Sequence, residues 1–249
     1  MPRQPVARLY RRLLALALLA ACVGAPAAPK FEDSMAQRTL ACTACHGEQG
    51  RAGPDGYYPR LAGKPAGYLY HQLLNFRDGR RHYGLMTRLV DPLSDAYLQE
   101  IAQHFAGLDL PYPPPARPPS PTAPELLRRG QALALQGDPQ RRLPACAQCH
   151  GAALTGVLPA VPGLLGLPQD YLNAQLGAWR TQQRRAQAPD CMAQIAQRLQ
   201  PEDLVAVTRW LAAQPLPVNT HPAATAPSWP AGSEPLACGA TTISPGARR

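Results

Sequence analysis

At 249 residues, with 30 prolines and an aromatic content of 6%, the chain lacks the large side chains of one extended core and suits two small domains. The formal charge of +9 does not mark a nucleic-acid binder. Four arginines (Arg3, Arg8, Arg11 and Arg12) fall in residues 1–21, and without them the basic residues exceed the acidic ones by only five. Residues 1–21 read as an export signal: those arginines, then the apolar run Leu13 to Ala21, which is too short for a membrane span. The run ends in Leu19-Ala20-Ala21-Cys22, which resembles a lipoprotein signal that would lipidate Cys22. The alternative is ordinary cleavage near Ala25-Pro26-Ala27-Ala28, which would discard Cys22. Either route carries the mature chain out of the cytoplasm, to the periplasm with or without a membrane anchor.

Residues 31–41 read as a weak helix leading into Cys42-Thr43-Ala44-Cys45-His46. Short helices are expected over Tyr68–Phe76 and from Ser94-Asp95, whose following stripe is Leu98, Ile101, Ala102 and Phe105. Residues 111–124, PYPPPARPPSPTAP, are too proline-rich for a helix or a central strand and form a semi-rigid linker. Beyond it the pattern recurs. A helix over Glu125–Leu135 precedes Cys146-Ala147-Gln148-Cys149-His150, a segment Tyr171–Trp179 follows, and Pro201-Glu202-Asp203 opens a last helix striped by Leu204, Val207 and Leu211. From Pro215 onward the chain is irregular. No alternating strand pattern competes with the helices.

Each C-x-x-C-H motif reads as a c-type haem attachment site. The thiols of Cys42 and Cys45, and of Cys146 and Cys149, would form thioethers to a porphyrin, leaving His46 and His150 to ligate the irons. A zinc site would need a second ligand pair in each half, and a thioredoxin-like site a βαβ context; neither is present. The chain has four methionines, and two of them, Met86 and Met192, lie 40 and 42 residues beyond the haem histidines. A lone methionine would pass for core filler. Matched positions in both halves point instead to thioether ligands for the opposite faces of the irons.

The duplication extends past the motifs. Tyr58-Pro59-Arg60-Leu61-Ala62-Gly63 parallels Val161-Pro162-Gly163-Leu164-Leu165-Gly166, and Tyr68-Leu69 and Gln72-Leu73 parallel Tyr171-Leu172 and Gln175-Leu176 at the same offset of 103. Arg80-Arg81 parallels Arg184-Arg185. These arginines suit propionates or a partner's carboxylates, or else a solvated basic face. Tyr57, Tyr58 and Trp179 read as pocket or interface packing. His82, four residues before Met86, is the one substitute ligand the pattern offers, and a surface role is the simpler reading.

Of seven cysteines, four attach haem and Cys22 belongs to the signal. That leaves Cys191 and Cys238, a pair that an exported protein would oxidise to a disulfide. Closing that loop is worth about 4 kcal/mol on a chain-entropy argument, and it would tie the proline-rich tail to the segment holding Met192.

In these residues the chain resembles the diheme cytochrome c4 family of tandem class I c-type cytochromes. The two C-x-x-C-H motifs, the P-x-L-x-G…YL…QL…R stretches, and the Met86 and Met192 segments leading into final helices carry the resemblance over nearly all of residues 35–213. It implies an all-α fold of two cytochrome c-like domains, residues 22–110 and 125–215, each wrapped around one haem, with a tail over 216–249. It also implies that the carbonyls of Pro59 and Pro162 accept from the ligating imidazoles. Three features depart from the family: Met35 near the place of a helix glycine that Gly130 fills in the second half, the long linker and tail, and Cys191 beside Met192.

The expected activity is electron transfer by two six-coordinate haems, between a quinol-oxidising complex or dehydrogenase and a terminal oxidase, with neither nucleic acid nor substrate bound. Two other classes stay open: a diheme enzyme of peroxidase or thiosulfate/thiol dehydrogenase type, and a cytochrome subunit of a larger dehydrogenase.

Overall fold

The structure is a computed structural model that describes residues 32–53, 56–112, 123–230 and 234–241. The signal segment with Cys22, and linker residues 113–122, lie outside the described residues. The first half comprises α1 (Met35–Arg38), α2 (Leu40–His46), α3 (Ala66–Arg77), α4 (Gly84–Val90) and α5 (Asp95–Ala106). The second comprises α6 (Pro124–Leu135), α7 (Cys146–His150), β1 (Gly156–Val157), β2 (Val161–Pro162), α8 (Gln169–Arg180), α9 (Cys191–Arg198) and α10 (Pro201–Ala213).

Local chemistry sets these boundaries. Ser94 caps α5 by accepting from the Tyr97 amide at 3.2 Å. Asp190 caps α9, accepting from the Ala193 amide at 3.0 Å. Pro124 and Pro201 occupy first turns, where a missing N–H costs nothing. The continuous helix expected over 31–41 is instead broken at Thr39, whose hydroxyl donates back to the Met35 carbonyl at 2.7 Å. The β1–β2 pair, also not foreseen, is a two-residue antiparallel ladder that adds a little strand to a helical fold. The segments holding Met86 and Met192 form short helices of their own, α4 and α9.

Each half has its own core. In the first, α3 and α5 pack through Leu69, Phe76, Leu98, Ile101 and Phe105. In the second, α6 crosses α10 at Gly130, where a Cβ would lie 2.2 Å from the Ala206 carbonyl oxygen. Only glycine permits that approach. Among the described residues the first half has no such crossing: the four-residue α1 brings Met35 against the core instead.

The buried carboxylate of Asp203 joins three elements of the second half. It accepts from Arg129 Nε at 2.8 Å, from Arg141 Nη1, and from the Gln200 amide at 3.2 Å in a capping box. Burial alone would raise its pKa; the hydrogen bonds from Arg141, Arg129 and Gln200 outweigh it and hold the carboxyl below the usual range. A depressed carboxylate stabilises the fold above the unfolded value of about pH 4, and that contribution disappears as pH falls through the folded pKa. Asp203→Asn is expected to lower stability to urea by about 2 kcal/mol at pH 7, because both guanidiniums still reach water. The deficit should shrink towards pH 3; a deficit independent of pH would contradict the assignment.

Candidate haem sites

Both C-x-x-C-H motifs form a helical turn that ends at its histidine, followed by a glycine of positive φ (Gly47 and Gly151). A Cβ on Gly47 would lie 2.3 Å from the Ala52 carbonyl oxygen, so only glycine lets the chain turn away here. The turn buries both imidazoles: His46 and His150 are each 7% exposed. His46 Nδ1 lies 2.8 Å from the Pro59 carbonyl oxygen, and His150 Nδ1 lies 2.7 Å from that of Pro162. A carbonyl only accepts, so Nδ1 carries the proton and donates. Burial pushes both histidines below their ordinary pKa against the opposing pull of these hydrogen bonds, and at His46 the nearby Arg81 lowers it further. A neutral imidazole with its proton on Nδ1 leaves the Nε2 lone pair available to a metal.

In the first half that imidazole lines a cavity of about 670 Å³, together with Cys42, Cys45, Met86 and the core side chains Leu69, Phe76 and Phe105. Its walls are mostly apolar side chains, which left unfilled would forfeit their packing partners on that side. The geometry therefore suits a domain built around a large apolar group. Cys42 and Cys146 are both half-buried, and burial pushes their thiols up, that of Cys146 to about 12. Cys45 is exposed and Cys149 half-buried.

The polar end of the cavity lies where the halves meet. Arg81 and Arg184 pair there as an antiparallel bridge. Arg184 Nη1 donates to Gln175 Oε1 at 2.6 Å and Nη2 to Gln72 Oε1 at 2.9 Å; Arg81 Nη1 and Nη2 donate to Gln72 at 3.1 Å and Gln175 at 2.8 Å. Each guanidinium also lies over a ring of its own half, Arg184 over Trp179 at 3.8 Å and Arg81 over Phe76 at 4.5 Å. Among the described residues neither has a carboxylate within ion-pair distance, although Arg184 is 5% exposed. Two guanidiniums so close in a buried site call for anions, and a haem's propionates are carboxylates at the polar edge of an apolar plate. Trp179 Nε1, buried with no acceptor among the described residues, is a further donor of this kind.

Met192 is the second residue of α9, half-buried. Its neighbour Cys191 is joined to Cys238 by a disulfide with a Cα–Cα distance of 4.9 Å, so it presents no free thiol. His82 is exposed at the rim of the first cavity, and its amide donates across the interface to the Gln183 carbonyl at 3.3 Å. Arg80 and Arg185 stand outside the pocket, on Asn75, Asp78 and the Gly79 carbonyl. Tyr57 and Tyr58 pack edge-to-face with Tyr83, which sequence reasoning had not singled out. It had also missed the crossed Arg–Gln pairs, although the repeated Tyr…Gln…Arg register marked every member.

Two all-α domains, each with a C-x-x-C-H turn and a proline-backed imidazole, define a tandem c-type cytochrome. No family model matches the chain, but its relatives are clear. It is 38% identical to the thiosulfate dehydrogenase electron acceptor of Thiomonas intermedia (strain K12) over 83% of this chain and 92% of the relative. It is 32% identical to cytochrome c4 of Thiocapsa roseopersicina over 74% of this chain and 94% of the relative. Reduced recombinant cytochrome c4 from Pseudomonas stutzeri superposes with a TM-score of 0.61 at 28% identity, covering 74% of this chain and 98% of that one. A thiosulfate dehydrogenase (TsdBA) from Marichromatium purpuratum gives 0.62 at 34% identity over 70% of this chain, which spans only 36% of that longer protein. The chain belongs to the diheme cytochrome c4 family and carries two c-type haems.

Arg184 links the halves through Gln72 and Tyr68. Arg184→Met keeps the aliphatic bulk and removes these bonds, at a cost of about 2 kcal/mol in coupling. Calorimetry of the holoprotein should then resolve two transitions where the wild type gives one. A single transition at the wild-type temperature would rule out a coupling role.

Proposed function

We propose that this protein is a periplasmic electron carrier that accepts electrons from a thiosulfate-oxidising dehydrogenase and passes them towards a terminal oxidase. His46 and Met86 would hold one haem iron and His150 and Met192 the other, with Cys42, Cys45, Cys146 and Cys149 supplying the thioethers. The matched imidazole–proline geometry of the two halves, 2.8 and 2.7 Å, carries this reading. Similarity to the thiosulfate dehydrogenase electron acceptor of Thiomonas intermedia supports the choice of donor.

Bound haem supplies one-electron iron chemistry, and the chain's residues tune it. The Pro59 and Pro162 carbonyls hold the imidazoles in one orientation and strengthen them as donors. The Met86 and Met192 thioethers would be the second protein ligand in each half and would favour the reduced state, which suits outer-sphere transfer without a bound substrate. Leu69, Phe76 and Phe105 keep water from the first pocket, which limits reorganisation when the charge changes. Arg81 and Arg184 hold propionate charge between the domains. A dehydrogenase releases electrons in pairs, and a chain with two C-x-x-C-H sites would have room for one electron at each. The disulfide at Cys191 removes the thiolate that a thiol-oxidising enzyme of this class would use.

Thiosulfate alone is expected to leave the oxidised protein unchanged over minutes, whereas a catalytic amount of a thiosulfate dehydrogenase should bring up the reduced α-band of both haems. Reduction by thiosulfate alone would make the protein an enzyme; no reduction with the dehydrogenase present would remove the proposed donor. In a separate test, Met86→Ala should halve the sulfur-to-iron absorption of the ferric protein. It should also lower one of the two potentials by on the order of 0.1 V, within the ~0.8 V that axial ligands span. Full retention of that absorption would exclude Met86 as a ligand.

A further inference from the structure

The two halves treat their methionine helices differently. In α4 the residue before Met86, Leu85, is 61% exposed, and Leu89, three residues after it, is 37% exposed. At the same places in α9, Cys191 is bonded to Cys238 and Ile195 packs on the core of the second half. At Cys191 the difference comes from the tail.

The tail follows a defined path. Ala223 runs parallel to β1, its amide donating to Gly156 O and its carbonyl accepting from the Leu158 amide, both at 2.9 Å. The carbonyls of Pro227 and Ser228 then accept from Gln148 Nε2 at 3.1 and 2.8 Å. Gln148 lies inside the C-x-x-C-H turn, one residue before Cys149 and two before His150; its counterpart Ala44 is exposed. Cys238 next bonds Cys191. The Gly239 amide donates to the Pro189 carbonyl at 2.9 Å, and a Cβ on Gly239 would sit 2.2 Å from the Ala188 carbonyl oxygen. Finally the Ala240 carbonyl accepts from Nδ1 of the buried His71, on α3 of the other half, at 3.1 Å.

We propose that the tail is a covalent strap whose Cys191–Cys238 bond and Gln148 contacts position both ligand helices of the second haem, a constraint that the first haem lacks. Resting on the ligand assignment above, the proposal makes Cys191, Cys238 and Gln148 positioning residues. Met192 is held by a helix pinned at its first residue, with its N-cap Asp190 between the disulfide and the Gly239 contact. Among the described residues the Met86 helix carries no disulfide and is held by packing and by the Thr87 hydroxyl, which donates to the Phe76 carbonyl at 3.4 Å. The second haem is therefore the closed one, and the first yields its methionine more readily.

The test uses ferric holoprotein with the Cys191→Ala/Cys238→Ala pair. Should that variant fold poorly, folded wild type is reduced with dithiothreitol, alkylated and reoxidised at iron. Amide exchange over residues 187–198 should rise roughly tenfold while residues 84–90 stay unchanged. In wild type, imidazole should displace one half of the sulfur-to-iron band before the other; with the strap cut, the resistant half should yield at roughly tenfold lower imidazole. Unchanged exchange over 187–198, or an equal rise over 84–90, overturns the strap. Failure of the ligand assignment reads out separately. Wild type would then show the sulfur-to-iron band of one haem only, and the exchange measurement would decide the strap by itself.

Discussion

The structure turns on the need to hold a flat apolar plate inside a small domain. The 670 Å³ cavity of the first half is a large hole for a domain of five helices. The surrounding elements read as its walls. The C-x-x-C-H turn sets one side and aims an imidazole inward; the proline carbonyl fixes that imidazole; α3 and α5 form the back; α4 closes the far side with a methionine. Each wall is short and amphipathic, and none would be stable as an isolated helix.

The same constraint explains where the chain places charge. A haem is apolar except at its propionates, so its pocket needs cations at one edge and apolar side chains elsewhere. Arg81 and Arg184 answer that need at the domain boundary, with glutamine oxygens between them and aromatic rings beneath. Interface and cofactor pocket are thus one feature, and the two halves are joined by the residues that line the cavity's polar end.

The attachment motifs, the matched methionines, the duplication and the final helices were all legible in the sequence, because each depends on local spacing or local caps. Non-local pairings were not. The Arg–Gln crossing joins residues about a hundred positions apart, and the sequence left its arginines between propionate pairing and a solvated basic face. The strand pairing of Ala223 with Val157, and the break at Thr39, turn on one or two hydrogen bonds that leave no periodic trace. Cys191 and Cys238 emerged from counting, but the role of the tail between Gln148 and His71 required coordinates.

The central claim is that both irons are closed by protein ligands on two faces, which makes the molecule a carrier. Electron paramagnetic resonance of the fully oxidised protein tests it most directly. The account predicts two low-spin ferric haems per chain and no high-spin signal, unchanged by added thiosulfate. One equivalent of high-spin ferric haem would reveal an open iron position and contradict it.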